Sequence, residues 1–195
     1  MIMTAAAIAL SYVLGSIPTG LWLGLWLKGV DIRQRGSQNI GATNTMRVLG
    51  KPLGAVALVG DAAKGVAAVL LAAPMSDWHH APLACGLAAI AGHGFSVFLR
   101  FRGGKGVATS AGVFAALAPL ATGLAAAAFL AVTVAARMVS AGSIAAAVTL
   151  AAAIFLVGDH DPVLQAVVTA VAIFVVVKHR SNIQRIMRGE ENRLW

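Results

Sequence analysis

The sequence predicts an all-α integral membrane protein of seven transmembrane helices, its N-terminus outside and its C-terminus cytoplasmic. Three observations carry that expectation. Of 195 residues, 59% are hydrophobic and 11% charged, with a mean hydropathy of +0.84, whereas a soluble domain carries about a quarter charged residues. The apolar residues gather into seven segments, 4–27, 53–73, 81–101, 107–118, 120–135, 140–157 and 163–177. Finally, the charges sort by side, as the positive-inside rule requires.

The first segment carries no charge before Lys28 and has no basic residues ahead of its apolar run. It is longer than a signal-peptide core and is expected to remain as an uncleaved span. The stretch 107–136 is also free of charge but contains Pro119 and Gly123. As one helix it would be about 45 Å long against a hydrocarbon core of about 30 Å. As a hairpin, each arm is short. Charge decides for the hairpin. With seven spans, Lys28, Arg33, Arg35, Arg47, Lys51, Arg100, Arg102, Lys105, Arg137, Lys178, Arg180, Arg185, Arg188 and Arg193 all face inward. Asp77, Asp159, Asp161, His79, His80 and His160 face outward, and of the Lys and Arg residues Lys64 alone lies within a span. Six spans would put Arg137 and the basic C-terminus outside, so seven is expected. The net charge of +8 is therefore read as topology rather than nucleic-acid binding. Cys85 is the only cysteine, which excludes an internal disulfide. Neither an internal repeat nor a linker divides residues 1–195, so a single membrane domain is expected.

The inward side carries the chemistry. In Arg102-Gly103-Gly104-Lys105-Gly106-Val107-Ala108-Thr109, glycines let backbone N–H groups converge, a following helix adds its unpaired N–H groups, and Lys105 adds a charge. The pattern fits an anion pocket with phosphate as occupant, or a flexible turn with a basic side chain. It is not a nucleotide P-loop. The first inward loop, residues 31–47, holds Ser37, Asn39, Thr43, Asn44 and Arg47, groups that can grip a polyol phosphate through directional hydrogen bonds. Asp61 and Lys64, three apart within a span, share a helix face as a pair that either supports the inward loops or serves function directly. His93, about 18 Å from Lys105 along a continuous helix, is expected to pack rather than to react. Ser140 and Ser143, on one face after Arg137, either bind phosphate or cap a helix. His179 and Asn182 are cofacial if the seventh helix continues past its end.

These residues resemble, in order along nearly the whole chain, the bacterial membrane glycerol-3-phosphate acyltransferases that use acyl phosphate. Gly15-Ser16-Ile17-Pro18-Thr19-Gly20 resembles the family's first-span signature. Gly36-Ser37-Gln38-Asn39-Ile40-Gly41-Ala42-Thr43-Asn44 with Arg47 resembles its first cytoplasmic motif, Gly103 to Thr109 its phosphate loop, and His179-Arg180-Ser181-Asn182-Ile183 with Gly189 and Glu191 its third motif. Gln38 stands where the family usually has glycine, and Ser96 where proline is usual. The resemblance implies a multi-pass enzyme of the bacterial cytoplasmic (inner) membrane. It would move a fatty acyl group from acyl phosphate to glycerol 3-phosphate, giving lysophosphatidic acid and inorganic phosphate.

By the same resemblance, Lys105, His179, Asn182, Ser37 and Arg47 are the catalytic set. Gly103, Gly104, Gly106, Asn39, Thr43, Asn44, Ser140 and Ser143 bind substrate, and Glu191 is structural. No cofactor, metal, nucleic acid or obligate protein partner is expected beyond the two substrates and membrane lipid. Soluble-domain glycerolipid acyltransferases use a His-x-x-x-x-Asp pair against a thioester. Here Ala84, Cys85, Phe98, Gln165 and Gln184 stand five residues after the five histidines. The rival readings are a transporter of a phosphorylated solute, in which Asp61 and Lys64 would gate, and a membrane scaffold, which leaves the inward motifs without purpose.

Overall fold

A computed structural model describes residues 1–72 and 75–194. Ala73, where the second expected segment ends, lies outside the described residues. Among the described residues, ten α-helices follow one another: α1 (Ile2–Ser16), α2 (Thr19–Lys28), α3 (Ala42–Leu49), α4 (Lys51–Ala67), α5 (Ala81–Gly94), α6 (Val107–Leu117), α7 (Pro119–Ala136), α8 (Val139–Leu156), α9 (Pro162–Lys178) and α10 (Arg180–Met187). No strand occurs among the described residues.

The breaks follow local chemistry. Pro18 cannot donate a helical hydrogen bond and disfavours helix in the residue before it, so α1 stops at Ser16 and α2 leaves at 48°. Gly29, at φ +61, closes α2 in the left-handed conformation, with its N–H and that of Val30 returned to the carbonyls of Leu25 and Gly24. Ala118 (φ −145°, ψ 68°) separates α6 from α7, and Pro119 opens α7 where a missing N–H costs nothing. The break expected within 107–136 is therefore present. Asp161 caps α9 by accepting from the Val163 N–H at 2.7 Å.

Among the described residues, four helical stretches are long and apolar enough to cross a membrane: Lys51–Leu70, Ala81–Leu99, Pro119–Ala136 and Val139–Leu156. Two bent pairs, α1 with α2 and α9 with α10, bring the number to six. The remaining expected segment is α6, whose eleven residues reach only about 16 Å. Leu58, Val59, Leu130, Val134 and Ile173 are exposed, as lipid-facing positions are.

The helices form two compact units, Met1–Leu117 and Ala118–Trp195. In the first, α1 and α5 run side by side in the same direction. Ala7 packs with Cys85, a Cβ on Gly15 would strike Ala89, and one on Gly92 would strike the Tyr12 and Ser16 backbone. Tyr12 Oη donates to the Phe95 carbonyl at 2.6 Å, and Ser96 Oγ to the Ser16 carbonyl at 2.6 Å. In the second unit α8 packs on both α7 and α9, and Gly142 admits the Thr133 side chain and Phe129 carbonyl. Small residues at such crossings let backbones approach without a hydrophobic driving force between helices.

Candidate functional site

The first polar loop is built around one buried amide. Asn44, at the start of α3, accepts the Ser37 N–H at 2.8 Å through Oδ1. Its Nδ2 donates to the carbonyls of Ile32 and Asn39 at 2.9 Å and Arg35 at 3.2 Å. The whole side chain is spent on holding the loop. Asn39 Oδ1 accepts from the Gly41 N–H at 2.9 Å, a local turn that starts α3. Arg33 is tied to Asp31 at 2.7 Å, and those hydrogen bonds hold the Asp31 carboxyl below the usual carboxylate range. Ser37, Arg35 and Arg47 remain exposed, and Thr43 is half-buried. Gln38 sits at φ +60, a left-handed conformation that costs a non-glycine residue about 1–2 kcal/mol. The backbone shape that glycine favours is kept here by glutamine.

The glycine loop folds back on the helix that precedes it. After α5 ends at Gly94, the chain turns through Ser96–Leu99, and Arg100 and Phe101 take φ +52 and +62. The N–H groups of Gly103 and Gly104 then donate to the carbonyls of Gly94 at 3.3 Å and His93 at 3.0 Å. A Cβ on Gly103 would strike the His93 carbonyl, and one on Gly104 the His93 ring. His93 thus lies directly against the loop; the separation expected for a continuous helix is lost because the helix ends one residue later. Gly106, at φ +81, leads into α6, and the first helical bond runs from the Ser110 N–H to the Gly106 carbonyl at 2.8 Å. The N–H groups of Val107, Ala108 and Thr109 have no acceptor within the helix, and the helix dipole adds to them. Lys105 is half-buried beside them. Two hydroxyls of this first turn, on Thr109 and Ser110, are buried without a hydrogen-bond partner, as are those of Ser11 in α1 and Thr133 in α7. Ser110 lies one residue beyond the motif read from the sequence.

The first loop and the glycine loop share a small core: Leu21 of α2, Ile32 and Ile40 of the first loop, and Leu99 of the turn before the glycines pack together. Two of the three inward motifs are therefore joined within the first unit.

In the second unit the organiser is Glu191. Its Oε1 accepts from Ser140 Oγ at 2.8 Å and from Asn182 Nδ2 at 2.6 Å, and its Oε2 accepts from Arg185 Nε at 2.7 Å. Burial pushes its carboxyl pKa upward, but the hydrogen bonds from Asn182, Ser140 and Arg185 outweigh burial and hold the pKa below the usual glutamate range. Ser140 therefore neither caps α8, whose N-cap is Met138, nor stands apart from Asn182. Ser143 is turned to its own helix, donating to the Val139 carbonyl at 2.8 Å. His179 occupies the junction where α10 leaves α9 at 55°, so the seventh helix does not continue straight through it. Its Nδ1 lies 2.8 Å from the Val175 carbonyl; a carbonyl only accepts, so Nδ1 carries the hydrogen of that bond.

Compared with known proteins, residues 5–189 match the family model described as "Glycerol-3-phosphate acyltransferase". A glycerol-3-phosphate acyltransferase of Trichlorobacter lovleyi is 49% identical over 193 residues, 96% of this chain and 95% of its own. One from Geobacter sulfurreducens is 45% identical, covering 95% of each. Among solved structures, PlsY, an integral membrane glycerol 3-phosphate acyltransferase, superposes in its glycerol 3-phosphate form with a TM-score of 0.91 at 34% identity, covering 98% of this chain and 96% of that one. Its lysophosphatidic acid form gives a TM-score of 0.88 over 98% and 95%.

Proposed function

The chain belongs to the glycerol-3-phosphate acyltransferase family and is a membrane-embedded acyltransferase of phospholipid synthesis; from that premise we propose its donor, its topology and the work of its residues. The donor is an acyl phosphate and the acceptor glycerol 3-phosphate. One observation carries the donor: a glycine loop pressed against α5 opens a helix whose first N–H groups, next in sequence to Lys105, suit a phosphate bonded directly to an acyl carbon. The forms in which the related PlsY was solved support the acceptor and the product.

An acyl phosphate has a good leaving group, so positioning and charge stabilisation supply most of the catalysis. A hydroxyl oxygen of glycerol 3-phosphate attacks the acyl carbon, the bond from that carbon to the bridging phosphate oxygen breaks, and inorganic phosphate departs. Lys105 and the N–H groups opening α6 stabilise the leaving phosphate, while Gly103, Gly104 and Gly106 shape the turn. Ser37 and Arg47, with Asn39 and Thr43, hold glycerol 3-phosphate, and Asn44 holds their loop. His179 takes the hydroxyl proton. Asn182, Ser140 and Ser143 belong to the framework around Glu191 and α8, which fixes the α10 segment following His179.

The chain crosses the bacterial inner membrane seven times as one membrane domain, N-terminus outside. The charge distribution supports this, as does the parallel run of α1 and α5, which needs one returning span between them. In this topology α6 is the short fourth crossing, and its length sinks the glycine loop into the inner leaflet, within reach of a donor anchored by its acyl tail. The test is product stoichiometry. Purified protein given labelled acyl phosphate and glycerol 3-phosphate is expected to release lysophosphatidic acid and inorganic phosphate one to one; phosphate release without lysophosphatidic acid would overturn the reading.

A further inference from the structure

Beneath the glycine loop runs a buried polar chain that the chemistry above leaves unused. Asp61 and Lys64 of α4 and His93 of α5 are 2%, 5% and 4% exposed. Lys64 Nζ lies 2.8 Å from Asp61 Oδ1, 2.9 Å from the Ile17 carbonyl and 2.9 Å from His93 Nδ1. An ammonium has three hydrogens and no lone pair. Its three hydrogens meet three acceptors, so His93 Nδ1 receives a hydrogen and the imidazole proton sits on Nε2. That nitrogen is the atom a Cβ on Gly104 would strike first, with the ring's Cδ2 and Cε1 at 3.1 and 3.2 Å. The same residue's carbonyl takes the Gly104 N–H. At the far end Asp61 Oδ1 also accepts from Thr19 Oγ1 at 3.0 Å. The Ile17 carbonyl that Lys64 binds belongs to the break between α1 and α2. The ring is thus fixed from one side by α4 and covered from the other by the loop.

We propose that His93 is a positioning residue for acyl transfer: Lys64 and Asp61 lock its ring in one orientation, and the ring with its own carbonyl sets the glycine loop so that Lys105 and the α6 N–H groups face the donor phosphate. The inference rests on the loop being the donor-phosphate seat. A preorganised donor set costs no rearrangement during reaction, and a 104-position methyl cannot share space with the ring. Gly104 has no left-handed φ, so alanine there meets only the ring and not a backbone penalty.

The experiment measures kcat, and KM for each substrate separately, in purified full-length His93→Ala, His93→Gln, Gly104→Ala, Gly104→Ala/His93→Ala and Lys105→Ala proteins. His93→Ala and Gly104→Ala should each lower kcat/KM for acyl phosphate by about tenfold or more, leaving the glycerol 3-phosphate KM within about twofold. His93→Gln, which keeps an acceptor for Lys64 and an N–H, should recover most of the loss. The double variant should be no worse than His93→Ala alone, since the methyl then occupies the space of the ring. A role in stability alone would lower the folded yield and shift both substrates equally, and that result overturns the proposal. Should His93→Ala not accumulate, Gly104→Ala decides: donor kinetics within about twofold of the parent overturn it. Lys105→Ala separates the two levels. If it leaves donor kinetics unchanged, the phosphate-seat reading fails and takes the inference with it. If it impairs them while His93→Ala does not, the inference alone fails.

Discussion

Glu191 shows how one buried carboxylate can tie the start of α8 to α10. Its carboxylate receives Ser140, Asn182 and Arg185 together, and it stays ionised because those bonds outweigh the cost of burial. A carboxyl whose folded pKa is depressed contributes stability that is complete above its unfolded pKa and disappears as pH falls through the folded one. Melting temperatures of the parent and Glu191→Gln should therefore differ most above about pH 5 and converge as pH falls below the ordinary glutamate range; a gap that stays constant would contradict the assignment. Lys105 is proposed as the complementary case, a charge whose value lies in the transition state. Lys105→Ala should lower kcat by about a hundredfold or more in protein that still folds, and near-normal turnover would remove it from the mechanism. The resemblance marks Glu191 as structural, but its partners, which stand 6, 9 and 51 residues away, were not legible in the sequence, because only the fold joins them. Gln38 was legible in part: the departure from glycine marks the turn, and its φ of +60 is the conformation glycine would have eased.

At the scale of elements, the loop before α3 depends on Asn44. Replacing it with alanine strands a buried N–H and the carbonyls it served, at about 1–3 kcal/mol per unsatisfied group. The expected outcome for Asn44→Ala is a lower melting temperature and a KM for glycerol 3-phosphate raised about tenfold or more, with the acyl phosphate KM little changed. Equal effects on both substrates would argue that the loop serves the fold in general. The apolar segments and the break at Pro119 were readable from periodicity and proline. The return of the glycine loop onto His93 was not, because residues 95–101 look like a continuation of an apolar helix. The left-handed φ values that turn the chain fall on Arg100 and Phe101, with no glycine to announce them. The bends at Pro18 and His179 differ in the same way: the first has a proline and the second has no local signal.

For the whole molecule, the arrangement of charges is the strongest statement the sequence makes, and it predicts the sides of the membrane. With Cys85 replaced, cysteines introduced at Asp77 and Ser181, both exposed, should react with an impermeant thiol reagent from opposite faces; labelling from one face would overturn the seven-span arrangement. The central claim is that a phosphate bonded directly to the acyl group is what the glycine loop selects. A thioester places no phosphate at that point, and a site that misses an expected polar partner discriminates strongly. The direct measurement is a competition between acyl phosphate and acyl-CoA of equal chain length, in purified protein free of enzymes that interconvert them. Acyl phosphate should be preferred in kcat/KM by a factor of about 10⁴; comparable kcat/KM for acyl-CoA would contradict the account.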